Sequence, residues 1–149
     1  MNLETLGLFG VFLAGAIPWF EAIAVVPAGI LIGLDPVATV VAAVLGNTIT
    51  IFLFAYLGAN IRERWLKRRV AKGKTGESPK FQKALRAFDR YGIFGMAFLG
   101  PILIGTQFAA AASVAAGVKP LKVSIFISVG MALWATGIAS VMGLSGLVF

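Results

Sequence analysis

The sequence contains neither cysteine nor histidine among its 149 residues. The absence of cysteine excludes disulfides, thiolate metal sites, iron–sulfur clusters and a cysteine nucleophile. The absence of histidine removes the commonest metal ligand and the commonest general base. We therefore expect a protein that is not an enzyme and that binds no metal and no cofactor.

Charged residues are also scarce, at 13% of the chain, whereas soluble domains carry about 25%. Hydrophobic residues make up 59%, and a water-soluble fold of this composition would leave large apolar patches exposed. The sequence therefore predicts an all-α integral membrane protein, with residues 1–149 forming one membrane domain in the cell membrane.

Basic residues are concentrated in one stretch. Eleven of the 13 lie between Arg62 and Arg90, where they face only three acids, and the other two are Lys119 and Lys122. Because cytoplasmic loops are rich in Lys and Arg, residues 61–90 are predicted to be a cytoplasmic connector. A nucleic-acid partner is not expected, since the stretch has no run of aromatic residues on which bases could stack.

Two of the four apolar stretches contain a central proline. Those that follow Pro36 and Pro120 are free of charge over the length of a transmembrane helix, and a proline suits the first helical turn. The other two stretches have about 30 residues each. One straight helix of that length would measure about 45 Å, whereas the hydrocarbon of a bilayer is about 30 Å thick. Since Pro18 and Pro101 lie near their middles, each is predicted to form a re-entrant helical hairpin with the proline at its tip. A tilted, kinked full span is the alternative. The four stretches are Leu3–Gly33, Val37–Ile61, Tyr91–Val118 and Leu121–Phe149.

The distribution of charge favours the hairpins. With hairpins, both termini and the Asp35 turn lie outside, while all basic residues, including Lys119 and Lys122, lie in the cytoplasm. With four full spans, Lys119 and Lys122 would move outside and Glu4 would move inside. Glu4 also stands where a signal peptide carries Lys or Arg, so a cleavable signal is not expected.

A short motif recurs at an offset of 84 residues. Gly33–Pro36 (Gly-Leu-Asp-Pro) returns as Gly117–Pro120 (Gly-Val-Lys-Pro). We therefore expect two repeats, residues 3–60 and 91–149, each a hairpin followed by a transmembrane helix. Because each repeat would cross the membrane once in net terms, the two would be inverted, as in many secondary transporters.

The connector is expected to contain two helical segments. Arg62–Val70 should continue the preceding helix, and Ser78 should be the N-cap of the next one, with Pro79 at its first position. An apolar face of this second segment is formed by Phe81, Leu85 and Phe88. That pattern is typical of a short interfacial helix lying against anionic headgroups.

Glu21 is the only ionisable residue between Thr5 and Leu34, and it follows Pro18 by three positions. A carboxylate at membrane depth is energetically costly and by default marks a functional site. Burial would favour its protonated form, which suits a site that exchanges a proton for a cationic substrate. The alternative is a structural Glu that caps the helix after the break.

Polar residues on the first span and after the second break could complete such a site; they are Asn47, Thr48, Thr50, Thr106 and Gln107. Taken singly, each is more often a contact between helices than a ligand. Their placement near the breaks and on the first span favours a joint site. The predicted substrate- and proton-binding residues are Glu21, Asn47, Thr106 and Gln107.

Several motifs resemble those of known membrane protein families. Ile17–Glu21, followed by Pro27–Ile30, is similar to the family of small multidrug export proteins. Asp89–Gly92, Gly100-Pro101 and Gly130–Trp134 resemble the second half of the related DedA (VTT-domain) membrane proteins. The resemblance implies two facing re-entrant hairpins and a transport role, either proton-coupled drug export or translocation of a lipid carrier.

The chain departs from both patterns at basic positions. The export family often carries Arg two positions after the acid, where this chain has Ile23, and DedA relatives carry Arg where this chain has Phe98 and Ile104. Without these arginines a buried lipid phosphate would lack its natural partners. A lone acid suits a proton and a cation better.

These observations predict a proton-coupled exporter of small cationic compounds. Glu21 would be the shared proton and substrate site, and the hairpin tips at Pro18 and Pro101 would form the gate. A homodimer surrounded by membrane lipids is expected, because two spans and two hairpins give little bulk to shield a polar midplane. The alternatives are a lipid flippase for a polyprenyl-phosphate-like substrate and a non-transporting membrane scaffold.

Overall fold

The computed structural model describes residues 2–18, 20–74, 76 and 79–146, and all regular secondary structure in these ranges is α-helical. No strand occurs in them. In chain order the helices are α1 (Leu3–Ala16), α2 (Ala22–Leu31), α3 (Pro36–Ala71), α4 (Pro79–Leu103), α5 (Thr106–Ala115) and α6 (Pro120–Leu144). The predicted all-α class is confirmed.

Two of the helices contain segments that are long and apolar enough to cross a membrane. These segments are Pro36–Gly58 of α3, with 23 residues, and Pro120–Leu144, the whole of α6, with 25 residues. Each would be about 35 Å long, which matches about 30 Å of hydrocarbon. Both helices begin at a proline, as predicted. The carboxylate of Asp35 caps α3 by accepting a hydrogen bond from the backbone N–H of Ala38 at 2.7 Å.

The chain breaks once between α1 and α2 and once between α4 and α5. Residues 17–21 separate α1 from α2, and Pro18 lies within this break. Residues 104–105 separate α4 from α5, whereas Pro101 lies inside α4, two residues before the helix ends. Gly105 has φ 94° and ψ 146°, a combination that residues with a side chain rarely adopt. The second break therefore depends on a glycine that follows the proline.

Local structure recurs at the offset found in the sequence. Helices α2 and α5 each have 10 residues, and Thr106 begins α5 84 positions after Ala22 begins α2. A glycine with positive φ follows each helix, Gly33 at 88° and Gly117 at 98°. Three residues further on, a proline starts the next helix. The inverted relation of the two halves stays a prediction.

Buried apolar side chains form two cores in two compact units. The first unit comprises residues 1–50 and 128–149, and the second comprises residues 51–127. The first core consists of Val11, Ala22, Val25, Val26, Ile30, Leu34, Ala43, Met131, Ala135 and Met142. The second consists of Ile51, Ala55, Ala84, Met96, Ala97, Ile104, Ala109, Ala110, Ala112, Val123 and Ile127.

In the first unit, α1 and α3 meet backbone to backbone at two glycines. A Cβ atom on Gly46 would lie 2.0 Å from the carbonyl oxygen of Phe12, and one on Gly15 would lie 2.6 Å from that of Ala43. Small residues at contacts between helices allow this approach in membrane proteins. The contact fixes the end of α1, and with it the start of the first break, against α3.

The two helical segments of the connector begin where the sequence predicts. Helix α3 continues through Arg62–Val70 to Ala71, and α4 begins at Pro79. The predicted N-cap, Ser78, lies outside the described residues. Helix α4 is interrupted at Gly92, where φ is 63° and ψ is −168°.

The start of α4 is not an isolated interfacial helix. Ala84 is fully buried, and Leu85 and Phe88 pack against the second core. The side chain of Phe81 lies outside the described part of the chain. Protein therefore covers part of the apolar face that Leu85 and Phe88 present, and the position of this helix against headgroups stays a prediction.

Candidate functional site

Glu21 lies at the N-cap position of α2, directly after the first break. Its backbone carbonyl accepts hydrogen bonds from the N–H groups of Ala24 at 2.8 Å and Val25 at 3.1 Å, which start the helix. Its side chain is 9% exposed and makes no capping hydrogen bond. The helix start therefore fixes the backbone of Glu21, and the buried carboxyl group does not serve as the side-chain cap.

Glu21 is the buried acid of a unit without basic residues. The sequence of the first unit contains no Lys or Arg, and its acids are Glu4, Glu21 and Asp35. Glu4 and Asp35 are exposed, whereas Glu21 is followed by the buried apolar residues Ala22 and Val25. Glu21 is therefore the acid of this unit that lies buried.

Asn47 supplies a second buried polar group in the same unit. It is fully buried in α3, one residue after the close approach of α1 at Gly46. Its backbone carbonyl accepts a hydrogen bond at 2.9 Å from the hydroxyl group of Thr50. Thr48 is half-buried on the same helix. The small residue at position 46 thus lets an amide lie buried near a contact between helices.

Thr106 and Gln107 are the first two residues of α5, and both are fully buried. The preceding residue, Gly105, donates its N–H to the carbonyl of Gly100 at 2.8 Å, which closes the second break into a tight turn. Packing between α4 and α5 is close, because a Cβ on Gly100 would lie 2.7 Å from that of Ala109. This turn therefore places one hydroxyl and one amide side chain at the buried start of a half-length helix.

The predicted site residues are distributed over both units. Glu21 and Asn47 belong to the first unit, and Thr106 and Gln107 belong to the second. All four are buried, as expected of a site at membrane depth. Their joint action on one substrate stays a prediction. Trp19 lies outside the described residues.

A buried hydroxyl group that sequence reasoning missed lies on α3. Thr39 is fully buried, and its Oγ1 makes no hydrogen bond with a described residue. It packs against α2, since a Cβ on Gly29 would lie 2.6 Å from the methyl group of Thr39. A lone threonine in an apolar run was the only available signal.

An open groove of about 410 Å³ lies elsewhere in the first unit and contains none of the predicted site residues. It runs along the start of α3 and the second half of α6, and it is lined by Pro36, Val37, Val40, Val41, Thr136, Ala139 and Ser140. Its lining is almost entirely apolar and has no ionisable group. The groove therefore offers none of the proton chemistry predicted for Glu21.

Two membrane-length helices, two broken segments and a buried carboxyl group define a helical membrane protein. Residues 21–136 match the model of the family described as "Putative small multi-drug export protein". The match covers well over half of the chain, which belongs to this family. The matched residues include Glu21, the helices α2 and α5 that follow the two breaks, and the basic connector. Comparisons with curated proteins and with solved structures found no match.

Proposed function

We propose that the protein exports small cationic compounds in exchange for protons, with Glu21 as the shared binding group. The observation that carries this proposal is the burial of Glu21 at the start of α2 in a unit without Lys or Arg. Membership of an export family supports the transport role. An ionisable group inside a membrane protein is retained most often for such a role, because burying it is costly.

The chemistry is an exchange at one carboxyl group. The acid holds a proton in the absence of substrate, and binding of a cation favours the carboxylate, so that one proton leaves as one cation binds. Asn47, Thr106 and Gln107 supply amide and hydroxyl groups that can bind the polar parts of a substrate. The segments around Pro18 and Pro101 form the gate.

The membrane arrangement follows from the same elements. Each repeat, 3–60 and 91–149, consists of a re-entrant hairpin and a transmembrane helix, and the two repeats are inverted. The two breaks and the recurrence of local structure 84 residues apart support this arrangement. The basic connector lies in the cytoplasm and both termini lie outside, as the charge distribution favours. Two such chains form a homodimer.

A proton-release measurement tests the role of Glu21. Tetraphenylphosphonium is added to the purified full chain in weakly buffered detergent solution containing a pH indicator. We expect the unaltered chain to release up to one proton per cation bound, Glu21→Gln to release none, and Glu21→Asp to retain release. Glu4→Gln, which removes an exposed acid of the same unit, is the matched control.

Binding should also depend on pH in a stated direction. Raising the pH increases the fraction of ionised Glu21, so the unaltered chain should bind tetraphenylphosphonium more tightly, whereas Glu21→Gln should show no such dependence. Proton release by Glu21→Gln equal to that of the unaltered chain would overturn the proposal.

Because the chain has no cysteine, single Glu4→Cys and Lys119→Cys variants test the hairpins separately. Labelling of the first from outside and the second from inside supports hairpins, and the opposite pattern supports four full spans.

A further inference from the structure

Helix α3 continues well beyond its apolar part. The segment suited to crossing a membrane ends at Gly58, but the helix runs on without interruption to Ala71. Residues 59–71 therefore extend it by about 20 Å beyond the hydrocarbon. This extension is basic, so a positively charged helical segment projects from the end of the membrane segment.

Three residues of this extension and the residue that directly follows α3 lie on one face, at positions i, i+3, i+4 and i+7. They are Trp65, Arg68, Arg69 and Lys72, and we call them the basic stripe. The guanidinium group of Arg69 lies 4.7 Å from the centre of the Trp65 ring, a cation–π distance. Arg68 and Lys72 are exposed, and the Nε of Arg69 makes no hydrogen bond with a described residue. The stripe combines three positive charges with one half-exposed tryptophan and contains no acid.

The only acid of α3 lies on the other side of the helix. At 100° per residue, Glu63 is about 170° away from the middle of the stripe. It pairs there with Lys67 at 2.7 Å, and the hydrogen bond and positive charge of Lys67 lower the pKa of the Glu63 carboxyl group. The negative charge of Glu63 is therefore balanced locally and leaves the charge of the stripe uncompensated.

We propose that the basic stripe binds the anionic headgroups of phospholipids in the leaflet from which α3 emerges. Trp65 lies seven residues past Gly58, about 10 Å along the axis, and its side chain leans back towards the headgroup layer, which is about 5–8 Å thick. Helical side chains lean towards the N-terminus, which for α3 is towards the bilayer, so the long stems of Arg68 and Lys72 bring their charges closer to the headgroups. Tryptophan is also the residue preferred at this level of a membrane.

Charge complementarity calls for an anionic occupant, and proximity favours lipid over a nucleic acid. Anionic headgroups lie within about one Debye length, about 10 Å, of the stripe in every copy of the inserted chain. A nucleic acid would gain little from a stripe one helix wide, because only one aromatic residue is available for stacking on bases. The proposal does not depend on the export activity proposed above.

Binding is measured with the full chain in a Trp19→Phe, Trp134→Phe background, which leaves Trp65 as its only tryptophan. The chain, in non-ionic detergent, is titrated with dioctanoyl phosphatidylglycerol or dioctanoyl phosphatidylcholine while Trp65 fluorescence is recorded. Since each basic residue near an anionic surface contributes about fivefold to affinity, we expect at least tenfold tighter binding of phosphatidylglycerol. Raising the salt concentration should reduce this preference.

Matched variants locate the site on the helix. Replacing Arg68, Arg69 and Lys72 by Gln should lower the affinity for phosphatidylglycerol at least tenfold. A second triple variant, which removes the same charge outside the stripe, changes Lys74, Lys83 and Arg86 to Gln. Its affinity for phosphatidylglycerol should stay within twofold of that of the unaltered chain. Circular dichroism and gel filtration check that both triple variants remain folded.

Single substitutions make the same comparison with less disturbance. Lys72→Gln should cost about fivefold in affinity for phosphatidylglycerol, whereas Lys74→Gln should stay within twofold. Equal affinity for both lipids, or equal losses inside and outside the stripe, would overturn the proposal. Inorganic phosphate or oligouridine RNA producing the same Trp65 response at the same concentration as the anionic lipid would also overturn it.

Discussion

Gly46→Ala should destabilise the first unit, because the added methyl group has no room. Its Cβ would lie 2.0 Å from the carbonyl oxygen of Phe12, 3.0 Å from the carbonyl carbon of Phe12 and 3.1 Å from the backbone nitrogen of Ala16. All three atoms belong to the α1 backbone, so no side-chain rotation relieves the clash. Ordinary contact begins at 3.4 Å, and the two helices would therefore have to separate by about 1.4 Å, the difference from 2.0 Å.

The magnitude follows from two opposing effects. Alanine is favoured over glycine within a helix by up to about 1 kcal/mol, whereas overpacking a close contact costs about 1–3 kcal/mol. A clash between backbones belongs at the upper end of that range, so the net loss in the free energy of unfolding should be about 2 kcal/mol. Gly10→Ala and Gly137→Ala are matched controls, since nothing lies within 4 Å of the Cβ that either would add.

The assay is reversible unfolding in mixed micelles, with SDS as denaturant and helical circular dichroism as the readout. All three variants make the same glycine-to-alanine change within a helix. The difference in the free energy of unfolding between Gly46→Ala and the controls therefore measures the packing clash alone, and we expect it to be about 3 kcal/mol. We expect the controls to be equal to or slightly more stable than the unaltered chain. Stability of Gly46→Ala equal to that of the controls would refute the close approach of α1 and α3.

Three further predictions concern the connector and the helix ends. The hydrogen bond and charge of Lys67 hold the pKa of Glu63 below its ordinary value of 4.5. The stabilisation is therefore present above pH 4.5 and is lost as the pH falls through the lowered pKa. Lys67→Met should raise the pKa of Glu63 towards its ordinary value, as measured by a carboxyl-carbon NMR titration. Gly105→Ala should lower the melting temperature more than either control variant above, because φ is 94° there. Asp35→Ala should cost about 0.5–2 kcal/mol in SDS unfolding by removing the cap of α3, whereas Lys119→Ala, at the start of α6, should change stability by less than about 0.5 kcal/mol.

Helix starts and membrane segments could be predicted from the sequence because their causes are local. Proline at positions 36 and 120 fixes the first turn of each helix. The charge-free runs that follow are longer than the length needed to cross the hydrocarbon of a bilayer. The burial of Glu21 could also be predicted, since a lone acid in an apolar segment of about 30 residues has few exposed places to occupy. In these cases the composition of a segment and the position of single residues in it were sufficient for the prediction.

The second break could not be placed from the sequence, because the responsible residue acts through its backbone angles. Proline interferes with the turn that precedes it, and the last turn of a helix tolerates that interference, as Pro101 shows inside α4. Gly105, four residues later, carries the positive φ that turns the chain. In the same way, the amphipathic pattern at Leu85 and Phe88 predicts a covered face but does not say whether lipid or protein covers it.

The recurrence of local structure limits how many protons the proposed site can exchange. Gly105 precedes α5 as Glu21 precedes α2, 84 residues earlier, but the two backbones differ: φ is −48° at Glu21 and 94° at Gly105. An acid at position 105 would be strained by about 1–3 kcal/mol, so the second break excludes a carboxyl group where the first one has it. Thr106 and Gln107 can then supply only neutral hydrogen-bonding groups, which do not titrate near neutral pH. The proposed exchange at Glu21 therefore cannot exceed one proton per chain, and a release of two in the tetraphenylphosphonium assay would require another acid.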